Sequence, residues 1–160
     1  MNDPASALNA LRTACRSLIL ATSAADGTPD ASYAPFAIAA DGSLLILVSG
    51  LARHTANLRR SGRASAMLIE DEQGTTQLYA RRRVTYACRV EPVAPASQAW
   101  EDGVNALEKQ HGAIVTTLRT LRDFELLRLI PESGVLVLGF GQAWHLGGPG
   151  CSTLEPLGPR

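Results

Sequence analysis

A chain of 160 residues with 46% hydrophobic and 19% charged residues is long enough for one domain with a substantial core, and too apolar to be disordered. Its formal net charge is zero, which argues against a duplex nucleic-acid binder, and no apolar run approaches the roughly 18 residues that span a bilayer. The opening stretch lacks the basic-then-apolar pattern of a secretory signal, and Cys15, Cys88 and Cys151 show no CxxC spacing, so a cytoplasmic protein with reduced thiols is expected.

Asp3 followed by Pro4 reads as an N-cap and first helical position, and Leu8, Leu11 and Cys15 recur at helical spacing to about residue 16. The period then turns strand-like: SLILATS, the turn signal DGTP, DASYAPFAIA, the dipeptide Asp41-Gly42, and SLLILVS. Pro35 cannot donate to a ladder, which places its strand at an edge or a bulge. LARHTANLRRSG breaks the β pattern, with Leu51, Thr55 and Leu58 on one side of a helix and Gly62 just beyond it. RASAMLIE and TTQLYA resume β character around the turn DEQG, and RRRVTYACRVEPV alternates Val84, Tyr86, Cys88 and Val90 against Thr85, Ala87 and Arg89. Trp100, Val104, Leu107 and His111 predict a helix of about four turns closed by Gly112. A second helical stretch, AIVTTLRTLRDF, leads into the hairpin ELLRLIPESGVLVLGFGQAWHL, turning at Glu132-Ser133-Gly134. Six or seven antiparallel strands with peripheral helices, and no strand–helix alternation, predict a mainly β (α+β) fold built as a small closed or split barrel over residues 1–146. Residues 147–160, GGPGCSTLEPLGPR, are expected to form a flexible Gly/Pro-rich tail or an arm laid on a partner.

Common catalytic signatures are missing: there is no GxSxG elbow, Walker loop, HExxH or CxxC pair. His54, His111 and His145 lie far apart with no second ligand at helical or strand spacing, so no metal is expected, and His111 falls at a helix end where an imidazolium suits the dipole. The zero net charge hides an asymmetry, because Arg53 to Arg89 holds eight arginines against three acids. These cations could form a solvated helix face, a nucleic-acid patch or a cradle for an anionic cofactor. No helix-turn-helix, RNP or zinc-finger signature accompanies them. The cradle has the firmest physical basis. Ser49 ends a strand, and Arg53 and His54 open the next helix, whose free N–H groups favour an anion. Arg81, Arg82 and Arg83 open a later strand that in a small barrel can return to the same end, whereas Arg59 and Arg60 fall on the wet side of the helix. In LGFGQAWHL, Gly139, Gly141 and Ala143 would share one strand face and admit a backbone or a flat ring closely.

Three blocks, SYAPFAI, ARHTANLRRSGRASAMLIEDE with QLYARRRVTYACRV, and LRDFELLRLIPESGVLVLGFGQAWHL, resemble the haem-utilisation proteins of the HugZ/HutZ type. Those belong to the FMN-binding split-barrel superfamily that includes pyridoxamine 5′-phosphate oxidase, and the resemblance runs over roughly residues 8 to 147. It implies a six-stranded antiparallel Greek-key split β-barrel forming a homodimer, with two ligand sites at the subunit interface. On the flavin side, the resemblance makes Ser49 and Arg53 phosphate contacts, puts His54 where a lysine is usual, and sets Arg83 near the flavin ring. The strand from Ser32 through Tyr33 and Ala34 to Phe36 would line that ring. On the haem side, Asp123 matches an aspartate that hydrogen-bonds across the dimer to the axial histidine. That histidine lies beyond the GFGQA strand in the family; residues 147–160 contain none, and His145 is the histidine nearest to them. The resulting expectation is a cytoplasmic, homodimeric FMN-binding flavoprotein, a flavin-dependent oxidoreductase acting on a small molecule, without nucleic-acid or membrane partners. The alternatives are a haem-binding or haem-degrading protein for iron acquisition, and a flavin or porphyrin binder without turnover.

Overall fold

The computed structural model describes residues 3–158. Helix α1 (Pro4–Ala14) starts where Asp3 accepts the Ser6 N–H at 3.0 Å, and it buries Leu8 and Leu11. The strands are β1 (Ser17–Ser23), β2 (Pro29–Pro35), the two-residue β3 (Ala37–Ile38), β4 (Leu44–Ser49), β5 (Arg63–Ile69), β6 (Arg83–Pro92), β7 (Phe124–Gly139), β8 (Gln142–Gly147) and β9 (Thr153–Pro156). Between them lie α2 (Arg53–Ser61), α3 (Gln98–His111) and α4 (Ala113–Leu118). Hydrogen-bonded neighbours run β2-β1-β5-β6-β7-β4-β3, with β8 added to β7 and β9 to β8, and every pairing is antiparallel. Strands β1, β2 and β4 to β7 make up the expected split barrel; β8 and β9 extend it.

Alternation builds the core. Leu18 and Leu20 of β1, Ala66 and Leu68 of β5, and Val84 and Tyr86 of β6 point inward with Phe36, Ile46, Leu127 and Leu129. A second, smaller cluster forms where α3 lies on β4 and β7, through Val104, Leu107, Leu45 and Leu126. Gly103 makes that approach possible, since a Cβ there would lie 2.6 Å from Leu126 Cδ2. Cys15, Cys88 and Cys151 are free thiols, and among the described residues no helix is long and apolar enough to cross a membrane.

Four local expectations fail. TTQLYA holds a single 3-10 turn, Leu78–Ala80, instead of a strand, with the Gln77 side chain accepting the Tyr79 N–H. The expected turn at Glu132-Ser133-Gly134 lies inside β7, where the register on β6 jumps from Ala87↔Ser133 to Cys88↔Pro131 and leaves Glu132 unopposed. The glycine of that stretch serves packing: a Cβ on Gly134 would lie 2.9 Å from the Thr85 carbonyl oxygen and 3.1 Å from the Tyr86 ring. The hairpin turns instead at Phe140-Gly141, with Gly141 at φ +65, so Gly139, Gly141 and Ala143 do not share one strand face. Residues 147–158 are likewise not a free tail. A boundary after residue 146 would cut β8; beyond it, Cys151 is buried, Leu154 packs on the barrel core, and β9 pairs with β8 through His145↔Glu155.

Candidate functional site

The stretch ARHTANL places its residues by alternate attachment and release. Thr55 Oγ1 donates to the Ser49 carbonyl at 2.6 Å, Asn57 Nδ2 donates to Thr22 Oγ1 at 3.0 Å, and Leu58 is buried, so α2 is pinned to the end of β4 and to β1. Gly62, at φ +64, closes the helix with its N–H on the Leu58 carbonyl. At the other end the N-cap is Ala52, which offers no side-chain acceptor; the Thr55 N–H turns back onto the Ala52 carbonyl at 3.1 Å, and the Arg53 and His54 N–H groups are left to favour an anion. Arg53 stands there with 79% of its side chain exposed and Nη1 3.6 Å from Asp30. His54 is half-buried, with Nδ1 2.9 Å from Ser32 Oγ. Burial pushes the imidazole pKa below its usual value, opposed by the nearby Asp30 carboxylate.

Ser49 and Asp123 complete this group but face each other. Ser49 Oγ donates to Asp123 Oδ2 at 3.3 Å and accepts the Leu51 N–H at 3.2 Å, while the Asp123 carbonyl accepts the Gly50 N–H. The Ser49 hydroxyl therefore orders the β4–α2 turn. Arg59 and Arg60, expected as solvated charges, both have partners: Arg59 forms a two-point ion pair with Glu125, and Arg60 donates to the Ser23 carbonyl.

Arg83, Tyr33 and His145 lie elsewhere. Successive strand residues face opposite sides, so Ser32 points to the α2 side of β2 and Tyr33 to the other. Register then defines one row of outward side chains across seven strands: Tyr33, Ile19, Met67, Thr85, Val135, His145 and Glu155, taken from β2, β1, β5, β6, β7, β8 and β9. Tyr33 is 63% exposed, and Ile19 and Val135 are each 40% exposed. Arg83 sits in the next row, flanked by Ile69 and Val137, with Nη1 donating to the Arg81 carbonyl at 2.9 Å. Arg81 and Arg82 are held locally, the first by the Glu70 carbonyl and the second through its N–H on the Glu70 carboxylate. Following the ladders, Arg83 lies level with Pro35, five residues and about 16 Å along the strands from Asp30. Within one chain the two arginine segments do not converge. Asp30 was not singled out from the sequence, although its place two residues before Ser32 on a strand puts it on the same face.

The pyridoxamine 5′-phosphate oxidase family profile matches residues 5–137. The Vibrio cholerae protein named heme oxygenase HutZ is 41% identical over 133 residues, which span 83% of this chain and 75% of that one. The crystal structure of V. cholerae HutZ, described as a heme storage protein, superposes with a TM-score of 0.76 at 36% identity, covering 79% of this chain and 89% of that one. Campylobacter jejuni ChuZ superposes with a TM-score of 0.87 at 26% identity over 99% of this chain, which spans only 64% of the ChuZ chain. Profile, sequence relative and fold agree: the chain belongs to the pyridoxamine 5′-phosphate oxidase-like split-barrel superfamily, on the branch that holds HutZ.

Proposed function

We propose that this chain is a haem-binding protein acting in haem utilisation, as a dimer joined through its outer sheet faces. The carrying observation is the outward row from Tyr33 to His145. It is a mostly apolar strip, covered by no other described segment, that leads to the His145 imidazole with Glu155 beside it and has Arg83 one row away. A second copy seated on the strip would bury Tyr33, Ile19, Met67 and Val135. The His145 and Arg83 end would then border the seam between subunits.

A tetrapyrrole asks for apolar contact along its ring, a base for its iron and cations for its carboxylates. Val135 and Val137, His145 and Arg83 are of those three kinds and lie on one face. When bound, haem supplies a redox-active iron; the protein's part is to hold the ring, present the imidazole and set its surroundings. Asp123, matched by resemblance to a carboxylate that orients an iron-bound histidine, is exposed, and one of its oxygens accepts from Ser49. Similarity to HutZ and ChuZ supports this reading over the flavin one.

Absorbance titration with haemin tests it. A saturable Soret complex is expected, its ferric spectrum altered by His145→Ala, with a dimer in sedimentation that Ile19→Arg, on the strip but away from the ligand contacts, splits. Saturable FMN uptake with no Soret complex would overturn the proposal.

The flavin reading rests on one specific observation, the uncapped start of α2 with Arg53 exposed beside it. A charge-assisted hydrogen bond to phosphate contributes about 1.5–3 kcal/mol, so Arg53→Ala should weaken FMN binding at least about tenfold. Arg59→Ala should not, because that guanidinium is committed to Glu125. Equal losses in the two variants would remove the flavin site from α2.

A further inference from the structure

A cleft of about 540 Å³ lies between the segment joining β6 to α3 and the start of β7. It uses neither the outward sheet face nor the start of α2. Its deep residues are Val93 and Leu126, both buried, and the Val93 N–H donates to the Leu126 carbonyl at 2.9 Å. The floor backbone is therefore satisfied, and recognition falls to side chains. Two half-buried aromatics, Trp100 and Phe124, form walls. The indole is fixed from outside the cleft's own lining: the Arg119 guanidinium lies 5.4 Å from its ring centre and is itself held by Glu101 at 2.7 Å and Asn105 at 2.8 Å.

Charge at the cleft is unbalanced in one direction. The carboxylate lining it, Glu125, is already neutralised by its two-point ion pair with Arg59. Arg122 also lines it, is exposed, and has no hydrogen-bond or ionic partner among the described residues. Two aromatic walls, an apolar floor and one uncompensated guanidinium select a flat ring carrying a single negative charge. The volume is in the range of small-molecule sites.

We infer that this cleft binds an aromatic carboxylate of one to three fused rings, stacked against Trp100 and Phe124 with its carboxylate on Arg122. The inference is independent of the haem reading.

The test uses 2-naphthoate and its uncharged analogue 2-naphthalenemethanol on the full chain, followed by the indole N–H signals of Trp100 and Trp144 in nitrogen-15 NMR. Trp100→Phe identifies the Trp100 signal. That signal should shift saturably with the acid while the Trp144 signal stays put, and the alcohol should bind about threefold to fivefold more weakly, the upper part of the span an exposed ion pair covers. Arg122→Gln should reduce affinity for the acid by the same factor and leave the alcohol unaffected. Absence of saturation up to about 10 mM acid, or equal affinity for acid and alcohol, would overturn the inference. So would an Arg122→Gln variant that binds the acid as well as the unaltered chain does.

Discussion

Replacing Thr22 by valine keeps the shape of the side chain and removes one hydroxyl, so it isolates the bond that ties α2 to β1. Asn57 Nδ2 donates to that hydroxyl at 3.0 Å, and both residues are nearly sealed from solvent, Asn57 at 5% and Thr22 at 7% exposed. Water cannot take over the lost contact, which leaves the amide with an unpaired donor at a cost of about 1–3 kcal/mol. With an unfolding entropy of about 2.1 cal/mol/K per residue, a chain of 160 residues should melt about 3–9 °C lower. Urea unfolding of Thr22→Val, of Asn57→Leu and of the double variant measures the pair directly. The single variants should each be destabilised, and the double variant should lose at least about 1 kcal/mol less than their sum, because it leaves neither partner orphaned. A Thr22→Val chain within about 0.3 kcal/mol of the parent, or strict additivity, would refute the claim that this bond seats α2 and with it Arg53 and His54.

His54 has a folded-state pKa below its unfolded value because burial disfavours the imidazolium. The unfolded chain therefore holds more protons in that window, and the His54 contribution, full above pH 6.5, is lost as pH falls through the folded-state pKa. His54→Gln should flatten the acid side of the stability profile measured by urea unfolding between pH 8 and pH 5; an unchanged slope would show that the ring is not desolvated as described. Gly134→Ala should destabilise by about 1–3 kcal/mol, since the new methyl meets a carbonyl oxygen at 2.9 Å that cannot move without disturbing the β5–β6–β7 ladder. A neutral substitution there would mean that the bulge at Glu132 relaxes freely.

Sequence order conveys local periodicity well and lateral placement poorly, and the errors at this protein follow that division. Trp100, Val104 and Leu107 announce α3, and Leu18 and Leu20 announce β1, because each pattern is completed within a few residues. Pro131-Glu132-Ser133-Gly134 has turn composition, yet β7 continues through it with a single bulge; what makes Gly134 necessary is Tyr86 and Thr85 on the neighbouring strand, nearly fifty residues earlier. Arg53 and His54 could be singled out as the start of a helix after a strand, but their nearest partners, Asp30 and Ser32, come from β2 and are fixed only by how β1, β2 and α2 stack. Parity along β2 would have separated Ser32 from Tyr33; it could not say which face α2 covers. That distinction carries functional weight. The anion-favouring group around Arg53 and the apolar strip with Arg83 and His145 lie on opposite sides of one sheet, so no single small ligand can touch both within a chain. A ligand that needs both must sit where two copies meet, each supplying one half. Variants that abolish self-association should then remove ligand binding even when every named contact residue is intact, which a site complete within one chain would not do.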